Sequence, residues 1–296
     1  MTTVHQPPQR RPDSGGMTNY VPRTATSANF GRSMPNRRVV QSEPVKLLWT
    51  GGWDSTFRLL DLVFNQGQAV EPHYLLAWRK RISAPVELET MERIRAAILD
   101  RNPVVADLVL PTRLFTLEQL PPIKSISQAF ARVRTSTPLG DQYDWLARLA
   151  EHHSIDGLEL AIHVDDRAFA HIAGSVRPDG DAMVLVDEAR STDLHIFQHY
   201  RFPVLHKTKR DMENDSRASG FHDIMMMTWF CFEPDRKGRP CGHCNPCMFA
   251  IAESMGNRIS WHGHARYYLW KVARSIAKTI NLRRLPIRHT LGGGDR

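Results

Sequence analysis

Val45-Lys46-Leu47-Leu48-Trp49 is a short apolar run that breaks at once into Thr50-Gly51-Gly52, and the apolar residues beyond it recur at helical spacing. Phe57, Leu59, Leu60, Leu62, Val63 and Phe64 define that helix, which stops near Gly67. A strand that turns through two glycines into a helix opens a crossover unit, because parallel strands cannot be joined by a tight hairpin. The alternation then continues. Val70 to Trp78 reads as a second strand, Pro85 to Arg101 as an amphipathic helix burying Leu88, Met91, Ile94, Ile98 and Leu99, and Val104 to Leu110 as a third strand. Beyond an irregular stretch with Pro111, Pro121 and Pro122, a helix is expected over Leu139 to His153, a strand over Gly157 to His163, a last strand over Arg201 to Leu205 and a helix from about Thr208. Asp165 to His199 carries no decisive period. The expected fold class is α/β, a parallel sheet with helices on both faces.

Composition divides the chain further. Residues 1–44 are rich in Pro, Ser, Thr, Arg, Asn and Gln without a pattern that could bury a face, and read as a disordered basic tail. Residues 45–220 carry the α/β domain, 221–258 a cysteine-bearing segment, and 259–296 a basic C-terminal helix and tail with Arg266, Lys271, Arg274 and Lys278. The net charge of +8 points to anionic partners, nucleotide or nucleic acid, without choosing between them. Apolar runs fall well short of the roughly 18 residues of a membrane span, so the expectation is a soluble, cytoplasmic protein with no membrane partner.

A Gly-Gly turn at a helix N-terminus aims backbone N–H groups at one point, where they can surround a phosphate. Thr50, Ser55 and Thr56 add hydroxyls, and Asp54 could brace the loop or help hold magnesium. The spacing is not that of the phosphate loop ending in Gly-Lys-Ser/Thr.

All four cysteines of the chain lie in one pattern, Cys231, Cys241, Cys244 and Cys247. Two-residue spacings let thiolates converge on a single ion, and four of them fill a tetrahedral zinc shell. An iron-sulfur cluster takes the same ligands and stays open as the rival. The polar insert Glu233 to Arg239 and His243 argue for zinc, while His222, His243, His262 and His264 read as surface or satisfied histidines.

Thr50-Gly51-Gly52-Trp53-Asp54-Ser55-Thr56 resembles the Ser-Gly-Gly-x-Asp-Ser signature of the ATP pyrophosphatase (PP-loop) superfamily, with Thr50 in place of the first Ser. Over Val45 to Met255 the chain resembles the 7-cyano-7-deazaguanine synthases of the queuosine and deazapurine pathway. Pro203-Val204-Leu205-His206-Lys207-Thr208-Lys209 is similar to the family's Pro-Leu...Leu-Thr-Lys segment, and Thr228-Trp229-Phe230-Cys231 with Pro240-Cys241-Gly242-His243-Cys244 and Cys247 to its zinc segment. Two segments depart from it: Pro138-Leu139-Gly140-Asp141 stands for Pro-Gly-Arg-Asn, and Ala161-Ile162-His163-Val164-Asp165-Asp166 for a Gly-x-Asn run.

The resemblance implies an adenine nucleotide alpha hydrolase-like, Rossmann-like sheet and a carbon-nitrogen ligase using ATP, magnesium and zinc. It implies that 7-carboxy-7-deazaguanine and ammonia become 7-cyano-7-deazaguanine through an adenylated carboxylate and an amide. The cofactor residues would be Thr50, Gly51, Gly52, Trp53, Asp54, Ser55 and Thr56, with Asp54, Ser55, Lys207 and Lys209 acting in catalysis and the four cysteines on metal. Asp165 and Asp166 are candidates for substrate or magnesium contact, or for a helix cap. Two alternatives stay open: a diverged relative that adenylates a deazapurine or other carboxylate for conjugation, DNA modification or defence, and a non-enzymatic zinc protein binding nucleic acid. A homodimer is also compatible with the sequence.

Overall fold

Leu47 and Leu48 are neighbours in the first strand, yet they enter different cores on opposite faces of one sheet. The computed structural model describes residues 43–252 and 256–279. The expected basic tail therefore lies outside the described residues save for its last two positions, as does the chain beyond Thr279.

Seven strands form the sheet: β1 (Val45–Leu48), β2 (Val70–Leu76), β3 (Arg113–Thr116), β4 (Leu158–Glu159), β5 (Val176–Asp179), β6 (Ala182–Leu185) and β7 (Tyr200–Phe202). Their order is β3-β2-β1-β4-β7-β6-β5. The first five in that order pair in parallel, and β6 and β5 add an antiparallel edge. The helices of eight residues or more are α1 (Trp53–Leu60), α2 (Ala84–Arg101), α3 (Lys124–Ser136), α4 (Gln142–His152), α5 (Lys209–Ala218), α6 (Asn245–Ala252) and α7 (Trp261–Thr279). On one face Phe57 and Leu59 of α1, Met91, Ile94 and Ile98 of α2 and Met212 of α5 cover Leu47, Tyr74 and Leu76. On the other, Ile126 and Phe130 of α3 and Leu146 and Leu149 of α4 cover Leu48, Leu75 and Phe115. The α/β class and the two helical layers stand.

Several details differ from the sequence reading. Val104 to Leu110 is not the third strand, because Pro103 opens a short helix and Asn102 Oδ1 accepts the N–H groups of Val104 and Val105. Only Val109 keeps a bridge to β2, and β3 begins at Arg113. Leu99 is 53% exposed rather than buried. The sheet is not wholly parallel: a hairpin turning at Gly180 and Asp181 supplies its last two strands from the stretch without a decisive period. Helix α3 occupies part of the stretch read as irregular. Helix α5 starts as expected, at Thr208, where the hydroxyl accepts the Asp211 N–H and Asp211 Oδ2 accepts the Thr208 N–H.

Candidate functional site

The strand order reverses at β1, which has β2 on one side and β4 on the other. In parallel sheets that reversal opens a crevice beyond the carboxyl ends of the strands. Here the ends of β1, β2 and β4 run into Thr50, Ala77 and Leu160, and all three line the same cavity. Gly52, Asp54 and Ser55 form its floor with Thr50, while Tyr143, Trp145, Asp166 and Phe232 rise around it.

Gly51 has φ +67 and sits against α2, so that a Cβ would press on the Glu87 carbonyl oxygen, Thr90 and Met91 at 3.3 Å each. Gly52 is the N-cap of α1, and Thr56 N–H closes the first turn onto its carbonyl at 3.0 Å. Buried Thr56 spends its hydroxyl on Trp49 Nε1 at 2.9 Å and does not line the cavity. Trp53 turns away too: its ring meets His222 edge-on at 6.2 Å. The loop residues divide into a cavity set, Thr50, Gly52, Asp54 and Ser55, and a bracing set, Gly51, Trp53 and Thr56.

Asp54 is the electrostatic centre. Burial pushes its carboxyl up, His163 and Lys209 pull it back, and Asp166 pushes it up again. Its Oδ1 is buried without a hydrogen-bond partner among the described residues, and His163 Nε2 lies 3.9 Å away, beyond hydrogen-bond reach. His163 Nδ1 is 3.2 Å from the Asp165 N–H, which makes it the acceptor nitrogen. Asp166 accepts the Ala168 N–H at 3.0 Å, so it caps a turn while facing the cavity, and the Tyr143 hydroxyl stands 3.4 Å from its oxygens. The Asp165 side chain is largely exposed. Of the two lysines, Lys209 is near enough to act on Asp54, whereas Lys207 Nζ is paired with Asp215 at 2.7 Å and lies over the Phe57 ring.

The cysteines converge as their spacing predicts. The four sulfurs lie within 4.8 Å of one another, with Cys241 to Cys247 and Cys244 to Cys231 both at 3.9 Å. Tetrahedral Zn–S bonds of about 2.3 Å place sulfurs about 3.8 Å apart. Backbone N–H groups of Cys241 and Cys244 point at the sulfurs of Cys231 and Cys241, at 3.2 and 3.3 Å, as suits thiolates. The donor set could hold a metal such as zinc. Each neighbouring histidine has another partner: His222 with Ser216, His243 with Glu233, His262 with Arg239 and His264 with the Gly256 carbonyl.

The cysteine segment is also a wall of the cavity. Trp229 N–H donates to the Gly51 carbonyl at 2.8 Å, and Phe232 lines the opening. Arg258 donates to the Thr228 carbonyl and hydroxyl and lies between the rings of Trp53 and Phe230. Burial lowers its pKa to about 10, and no carboxylate pairs with it among the described residues.

Gly242 has φ +86, and a Cβ there would lie 1.9 Å from the Gly263 carbonyl oxygen at the start of α7. Gly242→Ala is therefore expected to unseat α7 from the cysteine segment at a cost of about 1–3 kcal/mol. Thermal melts with metal analysis check it; a stability equal to wild type contradicts the contact.

No family model matches this chain, and no curated protein matches it either. The site stands on its own geometry. Sequence reading did not single out Arg81, Gln142, Tyr143, Trp145 or Phe232, because tertiary folding alone brings them to the glycine turn. His163 entered the sequence reading as the end of an expected strand and as part of a departure from a family segment, without a role, and Arg258 gave no signal at all.

Proposed function

We propose that the protein is an ATP-dependent carbon-nitrogen ligase of the PP-loop type, similar to the 7-cyano-7-deazaguanine synthases. The observation that carries the reading is the glycine turn itself, opening with Asp54 and Ser55 into a cavity at the strand-order reversal. In this reading the sheet is adenine nucleotide alpha hydrolase-like and Rossmann-like.

The carboxylate oxygen of 7-carboxy-7-deazaguanine attacks the α-phosphorus of ATP and pyrophosphate leaves. Ammonia then displaces AMP at the acyl carbon to give the amide. A second ATP adenylates the amide oxygen, and loss of AMP and a proton leaves the nitrile. The residues of this chain have electrostatic work to do. N–H groups at the start of α1, with the Thr50 and Ser55 hydroxyls, hold phosphate oxygens, and Lys209 offsets the charge of the departing pyrophosphate. Asp54 fits a magnesium ligand, since its buried Oδ1 has no hydrogen-bond partner among the described residues, and Asp166 is the second carboxylate on the cavity. Magnesium, when bound, neutralises charge on the phosphates. The four cysteines hold zinc in a closed structural shell.

A second reading, a relative that adenylates a carboxylate for another acceptor, draws on His163 and Asp166, which stand where the family has its Gly-x-Asn run. Incubation with ATP, ammonium and 7-carboxy-7-deazaguanine, read by mass spectrometry, separates the two: the first yields nitrile and AMP, the second AMP without nitrile. Asp54→Ala and Ser55→Ala should each lower AMP formation on the order of 100-fold. Undiminished turnover in both variants overturns the assignment of the turn. A cytoplasmic location and a homodimer fit this reading, while nucleic acid has no role in it.

A further inference from the structure

Helix α7 is anchored at one end. Gly263 in its first turn packs on Gly242, and His264 Nε2 lies 2.8 Å from the Gly256 carbonyl oxygen. Trp261, Tyr268, Leu269, Val272 and Ile276 are nonetheless each more than half exposed. At about 100° per residue, these five positions fall within an arc of about 100°, the width of an apolar stripe that normally faces a core. Arg266, Lys271 and Arg274 fall outside that arc and are exposed, and the helix has no acidic residue. Charge is equally one-sided along the chain. From Gly256 to Arg296 there are nine Lys and Arg and one acid, Asp295, so the whole net charge of +8 resides there and the remainder is neutral.

A covering partner must satisfy both properties. Nucleic acid would take the cations but has no use for a stripe of Leu, Val and Ile. A second copy would cover the stripe but bring two strongly cationic segments together. An anionic bilayer surface takes both, with apolar side chains among the acyl chains and cations among the headgroups. We propose that α7 is an amphipathic anchor lying in the surface of a membrane that contains anionic lipid. No helix among the described residues is long and apolar enough to cross a membrane, so the contact is peripheral. It departs from the sequence-based expectation of no membrane partner and does not depend on the ligase reading.

The test is co-sedimentation of the full-length, metal-loaded protein with vesicles of phosphatidylcholine alone or mixed with phosphatidylglycerol. Binding is expected only to the mixed vesicles and should weaken as salt is raised. The pair Leu269→Glu and Val272→Glu should reduce it on the order of tenfold or more. Lys271→Gln with Arg274→Gln should reduce it about fivefold or more. Metal content and melting temperature report whether each variant is folded; the second pair lies outside the stripe and keeps the test decisive if the first disturbs folding. Three results overturn the proposal: no preference for anionic vesicles; a dimer that the glutamate pair dissociates, without vesicle binding; or DNA binding that survives the glutamate pair, without vesicle binding.

Discussion

Cys244→Ser is expected to abolish stoichiometric metal binding and to lower the melting temperature by about 10 °C or more. The reason lies in what surrounds the sulfurs. Cys231, Cys241 and Cys247 are buried in a small cluster with Ala250 and Ile259, against which Trp229, Phe230 and Ile251 pack half-buried, and the segment also carries a charged insert. An ion shared by four thiolates would tie the segment together at its centre, and three remaining thiolates cannot close the shell. The damage should spread to the glycine turn, because Trp229 donates to Gly51 and Arg258 grips Thr228 from within the same segment. Chelation of wild-type protein should reproduce both effects. Metal analysis and calorimetry on the variant decide the matter: one metal per chain with an unchanged melt would refute a structural metal centre. Iron with acid-labile sulfide in the wild type would replace zinc by a cluster.

Short-range chemistry was legible in the sequence, and long-range assembly was not. The Gly-Gly turn between β1 and α1 could be read because strand, turn and helix are contiguous and each has its own period. The cysteine site could be read because two-residue spacings already force convergence. By contrast, Arg258 reaches the rings of Trp53 and Phe230 only after the segment has folded back onto the sheet. The missed hairpin had a local signal in Asp179-Gly180-Asp181, a turn sequence between Val176 and Leu185. The displaced third strand shows the opposite case. Val104 and Val105 have strand propensity, but Asn102 and Pro103 impose a helical start that no count of β-branched residues detects. Thr56 is expected from the sequence to offer its hydroxyl to the turn, yet that hydroxyl is directed inward and accepts from Trp49.

Arg58→Met is expected to destabilise the protein by about 3–5 kcal/mol, because it strands a buried carboxylate. Arg58 leaves α1 and forms a fork onto Glu159 of β4, with Nε and Nη2 each 2.7 Å from a carboxylate oxygen, and Nη2 also reaches Asp181 at 2.7 Å. The two principal partners are only 4% and 2% exposed. One side chain thus ties the helix after the glycine turn, the central strand beside β1 and the turn of the edge hairpin. Burial acts against the charge of Arg58, but the Glu159 and Asp181 carboxylates more than offset it and hold its pKa above the ordinary value. Burial also pushes the Glu159 carboxyl up while Arg58 pulls it down. Removing the arginine leaves burial and the Asp181 charge opposed only by the weaker pull of Arg201, so the folded-state pKa of Glu159 rises further above its unfolded value. A carboxyl raised in this way is tolerated while protonated and becomes costly as pH rises through its folded pKa. The stability gap between Arg58→Met and wild type should therefore be small at acid pH and widen toward neutrality, and Glu159→Leu added to Arg58→Met should recover part of it. Urea titrations of the wild type and both variants across that range provide the check. A gap that does not change with pH, or that stays under about 1 kcal/mol as for an exposed pair, would show that Glu159 carries no uncompensated charge.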